Sequence, residues 1–185
     1  CCQFESDRLG AEWVTVRTPR RKFYSLTERA GYLRLYPGPE TLRETSHSAF
    51  LGRRQQHMQY AVRTVLEWDP QEQEESGVVL LMNHRFHFRF VYAQWEGQKK
   101  IRLIRCFDGR EEILAEKMWN AGKTYLRVTA HLQDLAFYVG KEEETWELVA
   151  DHVSGTLLSK EIAGGFTGTV LGLYASANGQ ESQNT

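Results

Sequence analysis

Residues 86–92 read Phe86-His87-Phe88-Arg89-Phe90-Val91-Tyr92 and carry the clearest structural pattern in the chain. Large aromatic side chains occupy every second position, which is the period of a β-strand with one face against a core. The pattern predicts a half-buried strand that places His87, Arg89 and Val91 on its outer face.

The same alternation recurs in residues 125–132 and again in residues 135–139, with Gln133-Asp134 between them, so these two segments predict a β-hairpin. No convincing amphipathic helix interrupts the pattern. Further strands are predicted at Trp13–Val16, Tyr32–Tyr36, Ala49–Arg53, Met58–Trp68, Gly77–Met82, Ile101–Cys106, Trp146–Val149 and Thr169–Tyr174. Turns are predicted at Pro37-Gly38-Pro39, Glu96-Gly97, Asp108-Gly109 and Gly140-Lys141.

Many short strands without intervening helices predict an all-β fold of two stacked antiparallel sheets, a sandwich of jelly-roll type. The 185 residues show no internal repeat and no linker, so one domain is expected over residues 1–185, with residues 176–185 as a loop or tail.

The charge and hydropathy of the chain exclude several classes of partner. The formal net charge is −1, with no basic field, so nucleic acid is not an expected partner. The longest apolar run, at Val78–Met82, is far too short to span a bilayer, so no membrane association is expected. Cys1, Cys2 and Cys106 make neither a disulfide framework nor a zinc motif, which favours a reducing compartment.

The sequence Glu67-Trp68-Asp69-Pro70-Gln71-Glu72 resembles the catalytic bulge of laminarinase-like glycoside hydrolases. That chemistry needs the three carboxylates on one concave face, with the strand continuing through the motif. Pro70 removes a ladder N–H at its centre, so we expect the strand to end at Trp68 or Asp69 and the carboxylates not to converge. No catalytic residue is predicted.

His84 and His87 could suggest a metal pair, but residues three apart on a strand point to opposite faces. No nearby carboxylate offers a further ligand. A structural calcium site is neither predicted nor excluded, because its backbone carbonyl ligands cannot be read from one sequence. No cofactor is predicted.

Three segments occur in order along the chain: Tyr24–Leu35, Arg53–His57 and Gly164–Leu173. Together they resemble the C-terminal concanavalin A-like sandwich of bacterial β-xylosidases and arabinofuranosidases of glycoside hydrolase family 43. The resemblance covers about residues 4–179.

The resemblance implies an accessory domain that packs on an N-terminal five-bladed catalytic propeller acting on xylo- or arabino-oligosaccharides in the bacterial cytoplasm. It also implies a loop that carries an aromatic residue into the mouth of the active site. Phe166, in Gly164-Gly165-Phe166-Thr167-Gly168, matches that position as a lid of the substrate pocket. The other interpretation is that Phe166 begins the core of the last strand.

Arg53, Arg54, Gln55, Gln56 and His57 form an uninterrupted polar run at a junction between strands. Burying such a run requires hydrogen-bonded partners, so we expect a polar network or a surface that faces the partner domain. Direct contact with a sugar is the alternative.

Two features depart from the family pattern. Cys1-Cys2-Gln3 replaces an acidic start, and the family's closing strand after Asn178-Gly179 is missing. The chain is therefore expected to be a fragment, and an unpaired edge would favour a homo-oligomer.

The predicted function is that of a non-catalytic C-terminal sandwich of a β-xylosidase or arabinofuranosidase. The alternative is a free-standing carbohydrate-binding sandwich, lectin-like, for xylan-type saccharides. In a third and weaker interpretation, the chain is itself a hydrolase with Glu67, Asp69 and Glu72 at its catalytic centre.

Overall fold

The computed structural model describes residues 4–165 and 168–184. The strands in these residues are β1 (Trp13–Val14), β2 (Tyr24–Ser25), β3 (Arg34–Leu35), β4 (Ala49–Arg54), β5 (Gln59–Glu67), β6 (Glu75–Asn83), β7 (Phe86–Trp95), β8 (Gln98–Phe107), β9 (Arg110–Met118), β10 (Lys123–His131), β11 (Asp134–Glu142), β12 (Thr145–Ser154) and β13 (Val170–Ser176). A 3-10 helix (Thr156–Leu158) and the four-residue helix α1 (Lys160–Ala163) lie between β12 and β13.

Two antiparallel sheets form the body of the molecule. The larger has seven strands in the order β1-β4-β13-β6-β7-β8-β9, and the smaller has four in the order β12-β11-β10-β5. A separate β2-β3 pair packs its apolar side chains against β4. The all-β sandwich predicted from the alternating pattern is confirmed.

The main core lies between the two sheets. The aromatic face of β7 meets the inner face of β11, where the ring centroids of Phe90 and Phe137 are 5.3 Å apart. Phe88 and Val128 are also fully buried in this layer. The alternation in β7, β10 and β11 therefore identifies the main core correctly, because one face of each strand is buried between the sheets.

The outer face of β7 differs from the prediction, because β7 is buried on both faces from Phe86 to Ala93. Val91 belongs to a second apolar cluster on the outer side of the larger sheet, with Phe50, Tyr174 and Leu42. Leu42 comes from the connection between β3 and β4, which covers this face. A strand pattern alone does not reveal a cover supplied by distant residues.

Arg89 lies beneath this cover as a buried cation. Its Nη1 is 3.0 Å from Oε1 of Glu75, and its Nη2 is 2.8 Å from Oε1 of Glu111. Burial opposes the charge, but Glu75, Tyr174 and Glu111 outweigh it, so the pKa of Arg89 is raised. Arg89, which was predicted on the outer face of a half-buried strand, is therefore buried and paired with two carboxylates.

Several element boundaries also differ from the prediction. The turns at Glu96-Gly97 and Asp108-Gly109 are confirmed, with positive φ at each of the four residues. The predicted turn at Gly140-Lys141 is wrong, because β11 continues to Glu142 and turns at residues 143–144. A Cβ on Gly140 would lie 2.2 Å from the carbonyl oxygen of Thr145, so glycine permits a close approach between neighbouring strands.

Strand β9 was not predicted. Its side chains are largely charged and exposed, so it lacks the alternating apolar signal. It is joined to β8 by cross-strand ion pairs, such as Lys100 with Glu116 and Arg105 with Glu112. The Asp108-Gly109 turn was the available signal, because a hairpin turn implies a returning strand.

The segment after β13 is fixed by side-chain hydrogen bonds. Asn178 Nδ2 donates to the carbonyl oxygen of Gln73 at 2.8 Å, and Asn184 Nδ2 donates to that of Asp69 at 2.8 Å. This segment therefore runs along the end of the sandwich where β5 finishes. None of the helices in residues 4–165 and 168–184 is long and apolar enough to cross a membrane.

Candidate functional site

One end of the sandwich brings together two segments that the sequence singled out separately. Arg54, the last residue of β4, is the register partner of Val170, the first residue of β13. Beyond this pair, the backbone N–H of Gln55 donates to the carbonyl oxygen of Thr169 at 2.9 Å. The polar run therefore lies directly beside the glycine-rich connection that leads into β13.

This glycine-rich connection has an unusual backbone. Gly164, Gly165 and Gly168 have φ angles of 69°, 86° and 70°, in the region that favours glycine. A Cβ built on any of the three would find no atom within 4 Å. The glycines are therefore required by the path of the backbone and not by crowding. Phe166, the predicted pocket lid, lies with Thr167 outside the described residues.

The stems of the loop are anchored by hydrogen bonds. Asn83 Nδ2 donates to the carbonyl oxygen of Ala163 at 3.2 Å, and Thr169 Oγ1 donates to that of Leu158 at 3.1 Å. Between them, Leu157 of the 3-10 helix is 2% exposed and belongs to the main core. The described residues on either side of positions 166 and 167 are thus fixed relative to the sheets.

Exposed apolar side chains accompany the polar residues at this end. Met58 is 58% exposed, Leu132 59% and Ile162 47%. The backbone N–H of Leu132 donates to the carbonyl oxygen of Met58 at 2.8 Å, which joins the β10–β11 turn to the connection before β5. We call the combined surface of residues 55–58, 132–133 and 155–169, as far as described, the rim.

The members of the polar run have different surroundings. Arg53 is half-buried, lies 3.7 Å from a carboxylate oxygen of Glu12 and stacks over the Trp13 ring at 5.7 Å. Gln55 Nε2 donates to the carbonyl oxygen of His57 at 2.9 Å. Arg54, Gln56 and His57 are exposed. The interface or network role of the run stays a prediction.

A groove of about 1020 Å³ opens beside the rim, between β5 on one side and β4 and β13 on the other. Aromatic side chains from different elements line it, among them Trp13, Tyr32 and Tyr60. Burial raises the pKa of Tyr60 to about 12. The rest of the wall contains aliphatic side chains and several arginines.

The carboxylates of the glycosidase-like motif lie at the other end of β5. The strand ends at Glu67, before Pro70 and slightly earlier than expected. Glu67 accepts a hydrogen bond from Arg29 at 2.6 Å, and Asp69 pairs with Lys99. Glu72 accepts backbone N–H bonds from residues 96 and 97 at 2.7 and 2.9 Å.

The three side chains therefore have three different sets of partners. Hydrogen bonding from Arg29 lowers the pKa of Glu67, and the backbone N–H of Gly97 lowers that of Glu72. A general acid in a glycosidase needs a raised pKa. Both carboxyl groups are thus poorly suited to that role.

His87 is poorly placed to share a metal ion with His84. It is fully buried, and its Nδ1 lies 3.4 Å from the carbonyl oxygen of Asn83. Burial, together with the charge of Arg89, lowers the pKa of His87 to about 3. Within residues 4–165 and 168–184, no group of three or more His, Cys, Asp or Glu side chains could hold a metal ion.

The sequence matches, over residues 1–185, a family model described as the β-xylosidase C-terminal concanavalin A-like domain. The chain belongs to this family. The resemblance inferred from the three motifs is confirmed, and so is the concanavalin A-like sandwich.

Relatives of this β-xylosidase C-terminal domain include named glycosidases. The chain is 30% identical over 190 residues to the non-reducing end α-L-arabinofuranosidase BoGH43B of Bacteroides ovatus, and 30% identical over 182 residues to a xylosidase/arabinosidase of Butyrivibrio fibrisolvens. Each match covers 98% of this chain, but only 34% and 35% of those proteins. The chain thus spans about a third of the length of these curated relatives.

Solved structures agree with the family assignment. The GH43 BlXynB protein of Bacillus licheniformis matches with a TM-score of 0.89 at 28% identity, covering 98% of this chain and 36% of that one. The xylan β-1,4-xylosidase of Bacillus halodurans matches with a TM-score of 0.88 at 28% identity, covering 97% and 36%. The C-terminal domain of this family therefore has the fold described here.

The exposed apolar side chains of the rim were not predicted as functional residues. Leu132 was assigned to a strand, although it lies in a two-residue turn at φ 57°. The position of Leu132 next to Gln133-Asp134 could have indicated an exposed apolar side chain. Turns usually carry polar residues, so a leucine there is unusual. Met58 and Ile162 gave no comparable signal.

Proposed function

We propose that this chain is the accessory C-terminal sandwich of a β-xylosidase or α-L-arabinofuranosidase. In this proposal, residues 1–185 form one domain of a longer bacterial polypeptide, and an N-terminal five-bladed propeller carries the catalytic carboxylates. The size of the relatives supports it, since about two thirds of each lies outside the match. The free, buried thiol of Cys106 is compatible with the cytoplasm as its compartment.

The observation that carries the proposal is the contact between the glycine loop and the polar run at the rim. An interface between domains combines apolar contacts with polar groups that can form hydrogen bonds. The rim offers both kinds of group, with Met58, Leu132 and Ile162 beside Gln56 and His57. We therefore assign the rim as the surface that faces the propeller.

The glycine loop would then project from the rim toward the substrate pocket. Three glycines with positive φ let the backbone turn sharply on either side of Phe166. An aromatic ring at that point would close the pocket by stacking on a xylosyl or arabinosyl ring and by excluding water. Hydrolysis itself belongs to the propeller, where one carboxyl group would protonate the leaving oxygen and another would activate water, with inversion.

The test uses the full-length enzyme that contains this chain. We expect Phe166→Ala to lower kcat/KM on xylo- or arabino-oligosaccharides by about tenfold or more, while melting temperature changes little. Trp95→Ala is the matched control, because Trp95 ends β7 at the opposite end of the sandwich. Equal activity of the Phe166 variant and the wild type would contradict the lid role. Activity that is unchanged when the propeller is absent would contradict the accessory role.

A second candidate function is favoured by an aromatic surface on the outer face of the smaller sheet. The guanidinium carbon of Arg127 lies 5.6 Å from the ring centroid of Tyr138 and 5.7 Å from that of Trp146. The guanidinium carbon of Arg63 lies 5.9 Å from the ring centroid of Trp146. Half-exposed aromatic rings beside hydrogen-bond donors suit a carbohydrate-binding module for xylan-type saccharides. Calorimetric titration of the isolated chain with xylohexaose tests it. Binding that is lost in Trp146→Ala supports this function, and no binding to the wild type excludes it.

A further inference from the structure

Arg127 is a cation on the outer face of the smaller sheet that pairs with no carboxylate of the described residues. Its guanidinium group packs on the rings of Tyr138 and Trp146. Its Nε is shielded from solvent, and no described residue accepts a hydrogen bond from it. Arg63, its register partner on β5, differs in having Glu144 at 3.6 Å. Arg127 is therefore a positioned cation whose charge no group of this chain neutralises.

A depression of about 630 Å³ lies beside Arg127 on the same face of the sheet. Thr129 of β10 is at its centre, with Ala61 of β5 and Ala136 of β11 as register partners on either side. These side chains are short, so they leave a floor that a ligand can approach closely. The depression therefore occupies the sheet surface next to the unneutralised cation.

Two pairs of larger side chains bound this floor along the strands. On one side Arg127 lies opposite Tyr138, and on the other side His131 lies opposite Asp134. All four line the depression. Residues two apart on a strand are separated by about 7 Å. A ring bound on the floor thus lies within reach of the cation on one side and of polar groups on the other.

A β-bulge in β12 forms a third side of the depression. The register of β12 against β11 shifts between Leu135 and Phe137, so Asp151 and His152 both lie opposite one residue of β11. His152 has a φ angle of 49°, which is uncommon outside glycine. Its Nδ1 lies 3.1 Å from Oδ2 of Asp134. The bulge thus brings two further polar residues to the lining of the depression.

The ligand has to bind through side chains, because the backbone beneath the floor is already paired. Strand β10 is hydrogen-bonded to β5 on one side and to β11 on the other. An extended peptide would find no free strand edge on this floor. A saccharide needs none, since its hydroxyl groups bond to polar side chains and its ring packs on an aromatic side chain such as Tyr138.

We propose that this depression binds a saccharide unit that carries a carboxylate, namely a uronosyl unit. Its carboxylate pairs with Arg127, and its hydroxyl groups form hydrogen bonds with Asp134 and His152 across the floor. A neutral sugar would leave Arg127 without an anionic partner, so the acidic sugar is favoured. The proposal names a further ligand for the face that the second candidate function uses, and it requires neither that function nor the accessory role.

The experiment titrates the 185-residue chain with methyl β-D-glucuronide and methyl β-D-glucoside, observed by NMR chemical shifts. The two ligands differ only in a carboxylate that replaces a hydroxymethyl group. We expect the glucuronide to bind at least about tenfold more tightly, and its affinity to fall as salt is raised. The shifts should map to residues 127–138 and 151–152. Acetate or tetraglutamate that binds as tightly as the glucuronide would overturn the proposal, because the sugar ring would then contribute nothing.

Three variants test the residues assigned to the site. Arg127→Met should abolish the preference for the glucuronide, whereas Arg105→Met, on the larger sheet and paired with Glu112, should retain it. Ala136→Phe fills the floor and should weaken binding of both glycosides by about tenfold or more, with Arg127 still present. Circular dichroism checks that each variant is folded. Equal binding of the two glycosides to the wild type, no binding, or a preference that persists in Arg127→Met would overturn the proposal.

A parallel titration with xylohexaose separates this proposal from the second candidate function. Binding of xylohexaose without any preference for the glucuronide would support that function and overturn the uronosyl site. Binding of the glucuronide that depends on Arg127, without binding of xylohexaose, would support the uronosyl site and exclude that function.

Discussion

Replacement of Arg89 by methionine should destabilise the protein severely. Arg89 is 3% exposed, and its partner Glu75 is 4% exposed, so the substitution leaves a buried carboxylate without its cation. Removing one member of a buried ion pair typically costs about 3 to 5 kcal/mol in the free energy of unfolding. For a chain of this size, that corresponds to a fall of roughly 6 to 20 °C in melting temperature.

The control for this prediction uses the same substitution at an exposed pair. Arg105 and Glu112 are 38% and 59% exposed, and such surface pairs contribute about 0 to 1 kcal/mol. Urea denaturation of Arg89→Met, Arg105→Met and the wild type measures both effects in one assay. The double variant Arg89→Met/Glu75→Gln should recover part of the loss, because both buried charges are then removed.

The reasoning is refuted if Arg89→Met costs less than about 1 kcal/mol, because the buried pair would then contribute no more than an exposed one. An Arg105→Met loss as large as that of Arg89→Met would also contradict it, since burial would not distinguish the two pairs.

Four further predictions follow from other parts of the chain. Burial holds the pKa of His87 at about 3, below its value of about 6.5 in an unfolded chain. The contribution of His87 to the free energy of unfolding is therefore present above pH 6.5 and is lost progressively as the pH falls from 6.5 toward 3. Urea denaturation at pH 7 and 4.5 should show a smaller loss of stability at the lower pH in His87→Gln than in the wild type. A Cβ at Gly172 would lie 2.4 Å from the Phe50 ring, so Gly172→Ala should cost about 1 to 3 kcal/mol, whereas Gly122→Ala, with no atom within 4 Å, should be nearly neutral in the same denaturation assay. In the isolated chain, Phe166→Ala should lower stability by well under the ~3 to 5 kcal/mol of a core phenylalanine, and a large fall in melting temperature would show that Phe166 belongs to the core. The isolated chain should show no turnover of aryl xylosides or arabinosides, and activity that persists through purification would revive the carboxylate motif as a catalytic site.

The main core could be predicted from the sequence because it depends on a local period. Phe88 and Phe90 alternate with polar residues, and the same face of β7 is buried against β11. The outer face of β7 could not be predicted in this way. Arg89 is covered by the β3–β4 connection and neutralised by Glu75 and Glu111, and neither contribution leaves a trace in the sequence around residue 89.

The rim, too, has features that could be predicted from the sequence and features that could not. Two glycines before an aromatic residue indicate an unusual backbone turn, and positive φ at Gly164 and Gly165 agrees with that interpretation. The adjacency of this loop to Gln55 could not be inferred from spacing, because it depends on the antiparallel pairing of β4 with β13. The resemblance predicts an unpaired edge, but that β5 is an edge strand of the smaller sheet, among the described residues, follows from strand order, which a single sequence does not encode in a local pattern.

The three parts of the rim are connections between strands, and this has an evolutionary consequence. Residues 55–58 join β4 to β5, residues 132–133 join β10 to β11, and residues 155–169 join β12 to β13. Insertions and deletions at the exposed positions of such connections leave strand register unchanged, whereas Leu157 of the third connection belongs to the main core. The exposed positions of the rim can therefore vary in length and composition while the two sheets keep their register, so one scaffold can present different surfaces at this end.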